Sequence, residues 1–165
     1  MRRAREPLAR AEVRARMLQS LAVMELYAEA KAQNVRLLRL LMVLEDTART
    51  HPDERRALLD KAGMEIQASV HLRREHLYPL IARYDGLDAL TQELDRDRSE
   101  MLRTFERLRE TPPDSQEFQL LIELVNGQAR VLAEREEHEL LPLALRAVPE
   151  EHAAEVAAAH LQNCA

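Results

Sequence analysis

Apolar residues recur every three to four positions along almost the whole chain, the period of an amphipathic helix rather than of a strand. Pro7 suits a first helical turn, and Leu8, Val13, Met17, Leu18 and Leu21 follow along one side. The pattern continues without a breaker through Met24, Ala28, Val35, Leu38 and Met42 to about Thr50. Roughly forty residues of helix would measure about 60 Å, longer than a domain of this size is wide. A break between Gln19 and Gln33 is therefore expected, or else an overhang that meets another subunit.

His51-Pro52-Asp53-Glu54 reads as a turn into a second helix, with proline in the first turn and acids at its positive end. Its stripe is Leu58 or Leu59, Ala62, Ile66, Ser69 or Val70, Arg73, Leu77, and Leu80 or Ile81. Pro79 should kink or tighten its end, and Tyr84-Asp85-Gly86 should close it. A third helix is predicted from about Leu87 to Arg109, with Asp97 falling among Leu87, Leu90, Leu94, Met101, Phe105 and Leu108. Thr111-Pro112-Pro113-Asp114-Ser115 is too rich in proline to be helical. The fourth helix carries Phe118, Leu121, Leu124 or Val125, Gln128, Leu132, Glu136, Leu140 and Leu143. Pro149 and Glu150-Glu151 open a short C-terminal helix.

Four long amphipathic helices with short connections predict an all-α, antiparallel four-helix bundle. One domain spans 1–165, with its core at about 21–148, an N-terminal helical extension at 1–20 and the C-terminal helix at 149–165. The composition agrees: 165 residues include only three glycines and are 46% hydrophobic. Aromatic residues make up 3% and tryptophan is absent, which leaves no stacking platform for single-stranded nucleic acid. Charges of both signs are interspersed with a net of −5, again against nucleic-acid binding. The local exception is Arg2, Arg3, Arg5, Arg10, Arg14 and Arg16, a basic start that reads as a solvated helix face or else as a docking surface for an acidic protein partner or an acidic patch on a second subunit. No apolar run is long enough to cross a bilayer, and no apolar core of a signal peptide follows the basic start. Cys164 is the single cysteine, so no intrachain disulfide can form. A cytoplasmic location is the expectation.

The most informative stretch is Arg73-Arg74-Glu75-His76-Leu77-Tyr78-Pro79-Leu80, because it recurs 63 residues later as Glu136-Glu137-His138-Glu139-Leu140-Leu141-Pro142-Leu143. Each copy places charge where an apolar stripe would enter the core, and a buried polar group needs a partner or a metal. His71 with Glu75 and Glu134 with His138 are each four residues apart, hence on one helix face, and could share a metal. His51, His152 and His160 read as surface residues. Phosphate-loop and nucleophile-elbow motifs are absent, and Ser69 with His71 or His76 lacks oxyanion donors on a helix interior. An enzyme is not expected.

Helices ending in "HLRREHLYPLI" and "LAEREEHELLPLAL" resemble the hemerythrin-like, or HHE cation-binding, family over about Val35 to Pro149. That resemblance implies a four-helix bundle around a non-haem di-iron centre that binds oxygen or senses iron and redox state. Carried over residue by residue, the family's histidine and glutamate positions fall on Leu132 and Glu136 in the fourth helix. In the second helix they fall on Ser69 and Arg73, in the third on about Asp97, and in the first, loosely, on Ala32. Leucine cannot bind iron, and a guanidinium offers only donors. The expectation is that Arg73 occupies the volume of the metal and pairs with Asp97, Glu136 or both, or else that it snorkels to the bundle edge.

The chain is thus expected to be a structural or regulatory module with no cofactor, associating as a homodimer. The competing expectation is a sensor that binds non-haem iron through a shifted set, His71, Glu75, Glu134 and His138. An iron-dependent oxidase or peroxidase is a third.

Overall fold

The computed structural model describes residues 5–47, 52–84 and 86–146. The C-terminal helix expected at 149–165, His51, His152, His160, Cys164, Asp85, Arg2 and Arg3 lie outside the described residues.

Every regular element among the described residues is helical. Helix α1 runs from Arg5 to Thr47 as 43 residues in one piece, about 65 Å at 1.5 Å per residue. The break expected between Gln19 and Gln33 does not occur. No glycine or proline stands between Pro7 and Pro52, so nothing local ends the helix, and length alone does not bend one. Its buried positions run Val23, Tyr27, Ala30, Gln33, Leu37, Leu41 and Leu44.

Helix α2 (Pro52–Leu72) starts on its proline, α3 (Tyr78–Ile81) is one turn, and α4 (Asp88–Glu110) follows Gly86, whose φ of 83° only glycine adopts freely. Extended backbone at Thr111 ends α4 ahead of the two prolines. Helix α5 (Gln116–Arg135) is capped by Ser115, whose Oγ accepts from the Phe118 backbone N–H at 3.1 Å. Helix α6 (Leu141–Arg146) completes the chain's described part. Packing joins α1 to α2 and α5, and α4 to α5 and α2, which brings four long helices around one core of Leu, Ile, Met, Phe and Ala side chains. No helix among the described residues is long and apolar enough to cross a membrane.

The repeated stretch folds the same way twice. Residues Arg73–Leu77 and Glu136–Leu140 each form a π-helical turn, joining α2 to α3 and α5 to α6. In each, the hydrogen bond reaches back five residues: Tyr78 N–H donates to the Arg73 carbonyl, and Leu141 N–H to the Glu136 carbonyl. The residue after each of these donors is proline, Pro79 or Pro142. Proline brings no N–H, and its ring crowds the carbonyl four residues earlier. One extra residue in the preceding turn gives that carbonyl room. Pro79 therefore sits behind a widened turn: of the kink or tightening expected there, the tightening does not occur.

Candidate functional site

The polar centre of the bundle is assembled from all four long helices. Each π-turn contributes its first residue, and these two side chains meet. Arg73 Nε donates to Glu136 Oε1 at 2.6 Å and Arg73 Nη2 to Glu136 Oε2 at 2.8 Å, a two-pronged fork that suits the planar guanidinium. Arg98, from α4, adds Nη2 to Glu136 Oε1 at 2.8 Å. The Tyr78 hydroxyl donates to the same oxygen at 2.7 Å.

The remaining Arg73 donors are also used. Its Nη1 donates to Ser69 Oγ at 2.8 Å and Gln33 Oε1 at 3.1 Å, and its Nη2 to Asn34 Oδ1 at 2.8 Å and the Ala30 carbonyl at 3.1 Å. Arg98 Nη1 reaches Ser69 Oγ from the other side at 2.8 Å, and Asn34 Nδ2 donates to Glu136 Oε2 at 3.2 Å. Arg98 Nε alone has no partner although it is buried. Arg73 is 0% exposed, and Ser69, Arg98 and Glu136 are each 1% exposed, so these four side chains are shut off from solvent, and Asn34 at the edge is half-buried.

The charges do not cancel. Two guanidinium groups face one carboxylate, which leaves one net positive charge in the bundle interior. Burial on its own would raise the Glu136 carboxyl. The charges of Arg98 and Arg73, with hydrogen bonds from Arg73 and Tyr78, outweigh that and hold it at about 2. Burial and the Glu136 charge push the Tyr78 phenol above its ordinary range. Burial, with Glu137 and Glu136, pushes Tyr27 up to about 12. Both phenols are neutral at physiological pH, so they do not balance the extra cation.

Of the residues that the sequence proposed for this centre, Ser69, Arg73 and Glu136 converge and Asp97 does not. The Asp97 side chain is 43% exposed and pairs with Arg135 at 2.8 Å, outside the core. Its neighbour Arg98 points inward instead. The spacing held a signal for this. Thr91, Leu94, Arg98, Met101, Phe105 and Leu108 alternate steps of three and four without a fault, and all are buried. A stripe through Asp97 needs two successive steps of four. Counting the stripe from Leu87 and Leu90 places Asp97 on it, and so Arg98 was missed.

The shifted set is not gathered either. His71, Glu75, Glu134 and His138 are all exposed. The nearest ring to His71 is that of His76, edge-on at 5.6 Å between centroids. Among the described residues, no three His, Cys, Asp or Glu side chains come together as metal ligands would. The side chains present do not fit a di-iron centre: where the resemblance implies carboxylates and imidazoles, two guanidinium groups supply fixed charge and only donors.

No protein-family model, curated protein or solved structure matches the chain.

Proposed function

We propose that this chain is a hemerythrin-like, antiparallel four-helix bundle in which an arginine–glutamate cluster stands in place of a metal centre, and that it serves as a metal-free structural or regulatory interaction module acting as a homodimer. One observation carries the reading: Glu136, the one carboxylate at the centre among the described residues, is held by two buried guanidinium groups. A metal cation entering there would meet two fixed like charges and a carboxylate whose lone pairs are already engaged. Binding then falls to outer surfaces, with the basic first part of α1 as the contacting element.

Metal analysis and a visible spectrum of full-length protein purified from iron-supplemented cells test this. A colourless protein with well under one iron per chain is expected. Two irons per chain with an oxo-bridge absorption would overturn the metal-free reading. One iron lost on His138→Ala would favour the sensor with the shifted ligands.

A further inference from the structure

The outer groove between α4 and α5 has walls of different character. It is a concavity of about 250 Å³ lined by Asp97, Glu100, Gly127, Gln128, Val131 and Leu132. On its α5 side Leu120, Leu124 and Val131 are 59%, 50% and 53% exposed, three large apolar side chains at helical spacing on one face. Between them Gly127 leaves the helix surface bare, since a Cβ there would meet nothing within 4 Å. Gln128 Oε1, buried at the groove, accepts no hydrogen bond. Acids stand on both sides: Glu100 on α4, next to an Asp97 already paired with Arg135, and exposed Glu123 and Glu134 on the far flank of α5. An apolar strip with acids along its margins suits a basic segment that also offers apolar side chains.

The chain carries such a segment. Its first twenty residues hold six arginines and two glutamates, a net of +4, while the other 145 residues hold a net of −9. Leu8, Val13, Met17 and Leu21 are interleaved with Arg5, Arg10, Arg14 and Arg16, and Leu18 is 59% exposed. From Arg5 onward this arm is the start of α1, which continues unbroken to Thr47. The buried positions from Val23 to Leu44 fix the axis of that helix within the bundle, so the arm cannot double back onto its own α4–α5 groove.

We infer that the α4–α5 groove is the receptor for the basic N-terminal arm of a second copy of this chain. Two copies exchanging arms satisfy both grooves at once, as a two-fold interface requires. This rests on the reading of the arm as the contacting element, and is independent of whether the bundle centre binds metal. Iron content therefore tests the one and molecular mass the other.

Sedimentation velocity of the full chain over a range of concentration and salt is the test. A dimer is expected, with Kd rising as salt screens the arm from the groove. The Leu124→Glu/Val131→Glu variant should raise Kd by roughly tenfold or more with an unchanged circular dichroism spectrum. Arg10→Glu/Arg14→Glu and Glu100→Arg/Glu123→Arg should each be monomeric alone, and should form a heterodimer when mixed. That rescue holds independently of any folding defect in the apolar-to-charged variant. A wild-type protein that stays monomeric, its groove covered by residues 147–165 or kept for a different protein, would overturn the inference. So would a dimer whose Kd none of the groove variants changes.

Discussion

Glu136 Oε1 accepts hydrogen bonds from both Arg73 and Arg98, at 2.6 and 2.8 Å, so one carboxylate oxygen serves two buried guanidinium groups. The three members are therefore not equivalent. Removing either arginine leaves a balanced pair, whereas neutralising the glutamate leaves two buried cations facing each other.

Urea melts should resolve this asymmetry. Glu136→Gln is expected to cost about 3–5 kcal/mol, the range for stripping a buried charge of its partner. Arg98→Met should lie within about 1 kcal/mol of wild type, because the Arg73–Glu136 fork survives and a buried Nε without a partner is removed. Equal losses in the two variants would show that packing, not charge balance, governs the centre.

Acid stability should report Glu136 directly. Its carboxyl is depressed in the fold, to about 2, against an ordinary glutamate value of about 4.3 when unfolded. A group depressed by folding stabilises the native state above the unfolded pKa, and that contribution disappears as pH falls through the folded one. The loss should therefore fall between about pH 4.5 and 2 and amount to roughly 3 kcal/mol, at 1.36 kcal/mol per unit. Comparing unfolding free energies at pH 5, 3.5 and 2.5 in wild type and Glu136→Gln checks this. Over that interval the variant's curve should be flatter.

The two helical glycines should respond oppositely to alanine. At Gly63 an added Cβ would lie 3.1 Å from Cε1 of Phe105, a ring that is 0% exposed and would have to shift within the core. A cost of about 1–2 kcal/mol is expected from overpacking. At Gly127 the space is open, so Gly127→Ala should stabilise the folded chain by about 0.5–1 kcal/mol through helix propensity. Thermal melts of the two variants should move in opposite directions.

Ser115 offers a local control remote from the ion cluster. Its hydroxyl accepts from Phe118 N–H and donates to the Pro112 carbonyl at 2.7 Å. Ser115→Ala should cost about 1 kcal/mol and Ser115→Asp less, because the carboxylate can still cap the helix. Chemical denaturation of both variants measures the difference.

The fold was legible because helical periodicity and proline-rich connections are local signals. Pro52 and Ser115 mark where α2 and α5 begin, and the stripe from Ala62 through Ile66 to Arg73 is buried as the spacing requires. The pairing of Arg73 with Glu136 could be read from the repeat, since charge on an inward stripe must find opposite charge. Arg98 could not be read with the same ease. Asp97 and Arg98 both lie within the width of an apolar face, and only the regular alternation of steps from Thr91 to Leu108 separates them. For α1 the argument from domain width left a break and an overhang both open, and the structure has the helix in one piece. The π-turns were hidden because a proline announces a disturbance without its form.

Those two turns also settle a matter of phase. Each adds a residue to its helix, and a residue advances the angular position of everything beyond it by about 100°. Arg73 and Glu136, their first residues, are bonded to each other, so both advances occur at the same level of the bundle. The segments beyond, with buried Ile81 on one side and Ala144 on the other, have thus been rotated by equal amounts. A single-residue deletion in one turn would leave the two tips out of step, while matched deletions would turn both together. The repeat 63 residues apart is in this sense a constraint on length, which two helices that differ in nearly every other residue have to satisfy jointly.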